Sequence, residues 1–213
     1  MVRPLRIMAL GLIGLAIIGL SGCNFGRLMT NPDVQLAAPH NATLPPSVDD
    51  ARLPLVNGQG PPLEDPPDSI KAKGEKILRG LTQNQPLLTI SGVSSSTILG
   101  TTRSWLGVPY AWGGNSRSGI DCSHLVYQVY RGSGIGSYPY MTTSQMKTAY
   151  YFMCVNWNNG GDIVLFRSLS HTGIYVGGGW MIDADSYYNK VMYDNLNTAY
   201  WQQWGPYPVR WTR

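Results

Sequence analysis

Apolar and polar positions change period along the chain, and the change divides it. Ile7 to Leu20 is an almost unbroken apolar run, too short and too near the N-terminus for a typical spanning helix. From Ser94, the run Ser-Ser-Ser-Thr precedes a helical pattern that continues to Leu106, where Gly107-Val108-Pro109 stops it. Asp121 can cap a further helix from Cys122 to about Tyr130, with Leu125, Val126 and Val129 on one side. Gly132 and Gly134 end it. Beyond Gly160-Gly161 the period shortens to that of strands. Asp162–Phe166, His171–Val176, Trp180–Asp183 and Lys190–Tyr193 are short, rich in β-formers and separated by Gly, Ser or Asn. Val176-Gly177-Gly178-Gly179-Trp180 reads as a hairpin turn. Helices followed by an antiparallel β-meander predict an α+β domain over residues 94–213.

The segment before that domain has a different pattern. Residues 24–67 hold nine of the 15 prolines, including Pro45-Pro46, Pro61-Pro62 and Pro66-Pro67, while all 7 Trp and all 13 Tyr lie at or beyond Trp105. Residues 23–67 therefore read as an extended, disordered tether, about 35–40 Å end to end if it behaves as flexible coil. Residues 68–93 read as a short helical linker. Asp68 can cap a modest helix to about Thr82, with Ile70, Ile77, Leu78 and Leu81 near helical spacing, weakened by Gly74 and Gly80.

Arg3 and Arg6 before the apolar run, and Leu20-Ser21-Gly22-Cys23 after it, give residues 1–22 the form of a signal peptide. The last four residues resemble the lipobox of bacterial lipoproteins, which implies acylation of Cys23 and a membrane attachment through lipid. An ordinary secretory signal with a coincidental cysteine is the alternative. Without residues 1–22 the chain has 213 − 22 = 191 residues, and the loss of Arg3 and Arg6 lowers the formal charge from +4 to +2. So mild a charge gives no clustered basic face for nucleic acid.

The candidate chemistry lies in the second half. Cys122 in the first turn of its helix meets unpaired N–H groups and the positive end of the helix dipole, which favour a thiolate. His171, 49 residues later, would open a strand and act as the base that takes the thiol proton and later protonates a leaving amine. Asp183 on the next strand is a cross-strand candidate to orient His171, or else a solvated carboxylate near a turn. His124, two residues after the thiol, points to another part of the helix and is poorly placed as the base. His40 falls in the tether. Three scattered histidines without a Cys/His cluster argue against zinc, and no cofactor is expected. Two readings of the remaining thiols compete. Cys122 and Cys154 could pair, which would silence the nucleophile, or Cys154 in its apolar surroundings is buried and unpaired, the reading preferred here.

Four segments carry a resemblance: Leu106–Gly114 (LGVPYAWGG), Gly119–Ser123 (GIDCS), Gly161–Phe166 (GDIVLF) and His171–Gly177 (HTGIYVG). In this order and spacing they resemble the NlpC/P60 family of papain-like cell-wall cysteine peptidases. The resemblance implies Cys122 as nucleophile, His171 as base and Asp183 at the third, orienting position. It also implies that the Tyr110 hydroxyl stabilises the tetrahedral oxyanion together with the Cys122 N–H. It implies hydrolysis of an amide in a peptidoglycan peptide stem. Two positions depart from the family pattern. His124 stands where Gly is frequent, and Asp183 where His, Asn or Gln is common. An aspartate there should stabilise a thiolate–imidazolium pair and shift the pH range of activity. A silent wall-binding scaffold on the same fold, or an amidase or acyl transferase on another substrate, are the alternatives. If the host is diderm, Asn24 after the acylated cysteine favours the outer membrane, facing the periplasm.

Overall fold

Alternation along the strands gives the central sheet two apolar faces, and each face is covered by different elements. The structure, a computed structural model, describes residues 52–71 and 89–213. The elements in chain order are α1 (Asp68–Lys71), the hairpin β1 (Thr89–Ile90) and β2 (Val93–Ser94), α2 (Ser95–Arg103), the hairpin β3 (Asn115–Ser116) and β4 (Gly119–Ile120), and α3 (Cys122–Gly132). Then come α4 (Thr143–Thr148), β5 (Phe152–Cys154), β6 (Ile163–Phe166), β7 (Thr172–Gly177), β8 (Trp180–Asp185), β9 (Lys190–Asn195), α5 (Ala199–Gln202) and β10 (Pro206–Trp211). The six-stranded sheet has the order β5-β10-β6-β7-β8-β9, antiparallel throughout. Helices packed on an antiparallel meander make the domain α+β, as the sequence pattern predicts.

The helix boundaries follow local capping. Ser94 accepts from the Thr97 N–H at 3.2 Å and starts α2, and Thr142 with Gln145 forms a reciprocal capping box at α4. The hairpin joining β7 and β8 passes through Gly177, Gly178 and Gly179, all at positive φ, where any other residue would be strained. The strands β5 and β10 were not foreseen. β10 holds two prolines, a composition that hides a strand, yet Arg210 within it clamps buried Asp162 through two 2.7 Å hydrogen bonds.

On one face, Ile163, Leu165, Ile174, Val176 and Ile182 pack with Leu125, Val126 and Val129 of α3 and with Ile98 and Leu99 of α2. On the other, Val164, Phe166, Tyr175 and Met181 pack with Tyr200 and Trp201 and with Leu53. Leu53 comes from the segment read as tether. Residues 52–67 run along the domain instead of away from it. The Leu53 N–H donates to Ser186 at 2.7 Å, Tyr200 donates to the Pro54 carbonyl at 2.9 Å, and Tyr188 to the Pro61 carbonyl at 2.8 Å. The prolines explain how the segment docks without a ladder. They hold it extended and remove donors, so its carbonyls are met by tyrosine hydroxyls. The single turn of α1 buries Ile70 beside Gly178, and Arg103 donates to the Ile70 carbonyl at 3.1 Å. Residues 1–51, with the signal segment, Cys23 and His40, and residues 72–88 lie outside the described residues. No helix among the described residues is long and apolar enough to cross a membrane.

Candidate active site

Cys122 is the first residue of α3, and its N-cap is Asp121, whose side chain accepts from the His124 N–H at 2.7 Å. The sulfur therefore sits where the helix offers free N–H groups and the positive end of its dipole. Cys122 is 1 % exposed and is not disulfide-bonded. That excludes the Cys122–Cys154 disulfide. The reading of Cys154 as buried is also corrected. It lies exposed on β5, as does its neighbour Met153. The apolar run around it reflects a short edge strand and not a core.

α3 packs across β7 and β8. His171 immediately precedes β7, which begins one residue later than predicted, and Asp183 lies on β8. Their side chains meet, with His171 Nε2 2.6 Å from Asp183 Oδ2, both buried. The register explains the contact. Gly173 faces Asp183 directly, so His171, two residues earlier, is its diagonal neighbour on the same face. Gly173 is required there. A Cβ on it would stand 2.9 Å from the Asp183 Cβ and 3.0 Å from the Ile182 carbonyl. The His171 ring is held between Trp201, stacked at 5.5 Å and 24°, and Phe166, at 6.0 Å. Nε2 is thereby the ring nitrogen engaged by Asp183.

Tyr110 is half-buried against the core. Its backbone bridges Ile120, two residues before Cys122, and its N–H donates to the Asn189 carbonyl at 3.0 Å. The His124 ring has two partners. Its Nδ1 lies 2.7 Å from Asp121 Oδ2, and its ring stacks on Tyr140 at 4.1 Å and 16°. Asp121 also accepts from Ser123 at 2.9 Å, so one buried carboxylate caps α3 and fixes both residues that follow the thiol.

The sequence reading missed four residues around the site. Trp201 and Tyr140 carry no motif. Asp185 and Asp194 lie behind Asp183, all three buried, with one oxygen from each within 4.8 Å of the others. Burial pushes each of these carboxyls above the ordinary carboxylate value, and repulsion from the neighbouring carboxylates adds to it for Asp183 and Asp194. The available signal was the spacing. Asp183 and Asp185 share one face of a strand by period two, and an acid pair on a strand in an apolar meander is unusual.

A thiol at a helix N-terminus, packed on the strands that carry a buried histidine–aspartate pair, is an arrangement suited to thiolate chemistry. Comparison with known proteins places it further. Residues 107–208 match the family model described as NlpC/P60 family. The chain is 39% identical over 99 residues to a probable endopeptidase p60 of Listeria innocua, covering 45% of this chain and 20% of that protein. It is 33% identical over 111 residues to murein DD-endopeptidase MepS/murein LD-carboxypeptidase of Escherichia coli K12, covering 51% of this chain and 58% of that one. Among solved structures, the NlpC/p60 domain of peptidoglycan hydrolase SagA matches at 26% identity and a TM-score of 0.45, covering 55% of this chain and 98% of that domain. The chain thus spans about a fifth of the Listeria protein and a little over half of the Escherichia coli one.

Proposed function

We propose that this protein is a lipid-anchored peptidoglycan endopeptidase that hydrolyses an amide bond of the peptide stem. The observation that carries the mechanism is the 2.6 Å contact between His171 and Asp183, on strands packed against the helix that opens with Cys122. In this reading His171 takes the Cys122 proton through Nδ1, and the thiolate attacks the stem carbonyl. Asp183 holds the ring in one tautomer and stabilises its positive charge. The Cys122 N–H and the Tyr110 hydroxyl hold the oxyanion. The tetrahedral intermediate collapses to a thioester as His171 protonates the departing amine, and water activated by the same ring then releases the acid. The four matching segments and the peptidoglycan hydrolases among the relatives support wall material as substrate. Acylation of Cys23 would hold the domain at a membrane, and Asn24 favours the outer membrane of a diderm host.

The test is digestion of purified muropeptides by the wild-type protein and by Cys122→Ala, with products identified by mass spectrometry. New stem fragments from the wild type alone are expected. Identical product patterns from both proteins would refute the mechanism and leave a wall-binding role.

A further inference from the structure

We propose that Asp194 holds a proton between itself and Asp183 and so acts as a positioning residue for the His171–Asp183 pair. The proposal rests on the Cys122–His171–Asp183 reading and extends it by one layer. The geometry begins with three unsatisfied atoms. Asp183 Oδ1, Asp185 Oδ2 and Asp194 Oδ2 are each buried and meet no N–H or hydroxyl donor. Three ionised carboxylates in this space would leave every one of these oxygens facing negative charge. One proton between Asp183 and Asp194, whose carboxylates each place an oxygen within 4.8 Å of the other, satisfies two of the three.

The neighbours decide which acid carries it. Asp183 Oδ2 faces the imidazole of His171, which favours the charged form of Asp183. Asp185 Oδ1 accepts the Tyr187 and Tyr188 N–H groups at 2.6 and 2.7 Å, which favours its charged form too. Asp194 has one neutral donor, the Trp201 indole N–H at 3.2 Å. It is the acid with least to stabilise a charge. A neutral Asp194 completes a chain in which Trp201 donates to Asp194, Asp194 to Asp183, and His171 to Asp183. The same Trp201 stacks on His171, so one side chain fixes the far end of the chain and the ring at its near end.

Loss of this proton removes the donor to Asp183 and places a second charge beside it. The other titratable groups facing Asp194 are Asp183 and Asp185 on β8, Tyr188 in the β8–β9 turn and Tyr200 on α5. Lys190 acts on Asp185, and His171 lies beyond Asp183. Asp194→Asn supplies an amide donor that does not titrate, whereas Asp194→Ala supplies none.

Two measurements on the full chain test this. The first is 13C NMR of aspartate-labelled protein, with the Asp194 carboxyl assigned by its absence from Asp194→Asn. The expected signal at pH 7 is that of a carboxylic acid, and a carboxylate signal overturns the proposal, whether a cation or nothing replaces the proton. The second is the pH dependence of kcat and KM on muropeptides. Asp194→Asn should stay within about threefold of wild type at neutral pH and hold its activity further into the alkaline range. Asp194→Ala should lose about tenfold or more in kcat with KM little changed. Equal losses in the two variants, or an unshifted alkaline limb in Asp194→Asn, overturn it. If the wild type hydrolyses no muropeptide, the function reading fails, and the NMR result still decides where the proton is.

Discussion

Replacing Gly173 by alanine tests whether the close approach of β7 to β8 sets the geometry of the His171–Asp183 pair. The added Cβ would meet the Asp183 Cβ at 2.9 Å, the Ile182 carbonyl oxygen at 3.0 Å and the Met181 sulfur at 3.1 Å. Ordinary contact begins near 3.4 Å. Two of the three atoms are backbone or fixed to it, inside a sheet buried on both faces, so they cannot swing aside. Relief requires β8 to move by about half an ångström, and overpacking of this kind costs about 1–3 kcal/mol. At about 4 °C per kcal/mol for a domain of this size, the midpoint of thermal unfolding should fall by about 4–12 °C. The same displacement stretches the 2.6 Å His171–Asp183 bond toward the outer limit for a hydrogen bond. Misplacement on that scale should lower kcat/KM by about 10- to 100-fold at a temperature where the variant is folded. Gly160→Ala is the control. Its Cβ would meet only the methyl groups and Cγ of Leu99, a side chain that can turn, so both effects should be small. Thermal melts by circular dichroism and steady-state kinetics on a muropeptide give the two readouts. A Gly173→Ala variant with unchanged midpoint and unchanged kcat/KM refutes the argument.

Three further outcomes are expected. Leu53→Ala should destabilise the domain by about 2 kcal/mol or more, unless residues 52–67 detach at lower cost, in which case this segment becomes the first site of limited proteolysis; an unchanged denaturation midpoint with an unchanged protease pattern would return it to a tether. Asp185→Asn should gain stability over wild type as pH rises above the ordinary carboxyl value of 3.8, because burial raises the folded-state value and the native protein then binds a proton the unfolded chain has released. The gain approaches about 1.36 kcal/mol per pH unit until the folded-state value is passed, and urea titrations showing a falling difference would contradict it. Mass spectrometry of envelope-derived protein should recover an N-terminal peptide with diacylglyceryl on Cys23. Recovery of a disulfide-linked Cys23–Cys154 peptide refutes the anchor, because one sulfur cannot carry both.

What the sequence makes legible here is what depends on near neighbours. Asp121 as the cap of α3 and the glycine hairpin before β8 follow from residues within a few positions of one another. So does the placement of Cys122 in a first helical turn. The His171–Asp183 contact is legible at one remove, since a tight hairpin between two strands fixes their register. The docking of residues 52–67 was not legible. It depends on tyrosine hydroxyls more than 120 residues away that meet carbonyls a proline-rich segment cannot pair by itself. Cys154 misled for a related reason. An apolar run reads the same whether it lies in a core or along an edge, and β5 is an edge.

His124 shows how a departure from the family pattern can be absorbed by its neighbours in the fold. At a position next to the nucleophile's serine, a bulky ring suggests a change in the cleft. The structure commits that ring to two partners, the Asp121 carboxylate and the Tyr140 face. Asp121 is thereby satisfied on three sides, by the His124 N–H, the His124 ring and the Ser123 hydroxyl. A cap held so firmly resists fraying of the first turn of α3, and that turn carries the thiol. The energetic consequence falls on the placement of Cys122, with Tyr140 as the residue that makes a histidine affordable at this position. It follows that His124→Gly alone should loosen the thiol's turn and leave Tyr140 without its stacking partner. His124→Gly combined with Tyr140→Ala should cost less than the sum of the two, because the pair acts as one unit. Cys122 alkylation rates and denaturation midpoints of the four proteins in that cycle measure the coupling. Strict additivity would mean that the stack contributes nothing to holding the thiol.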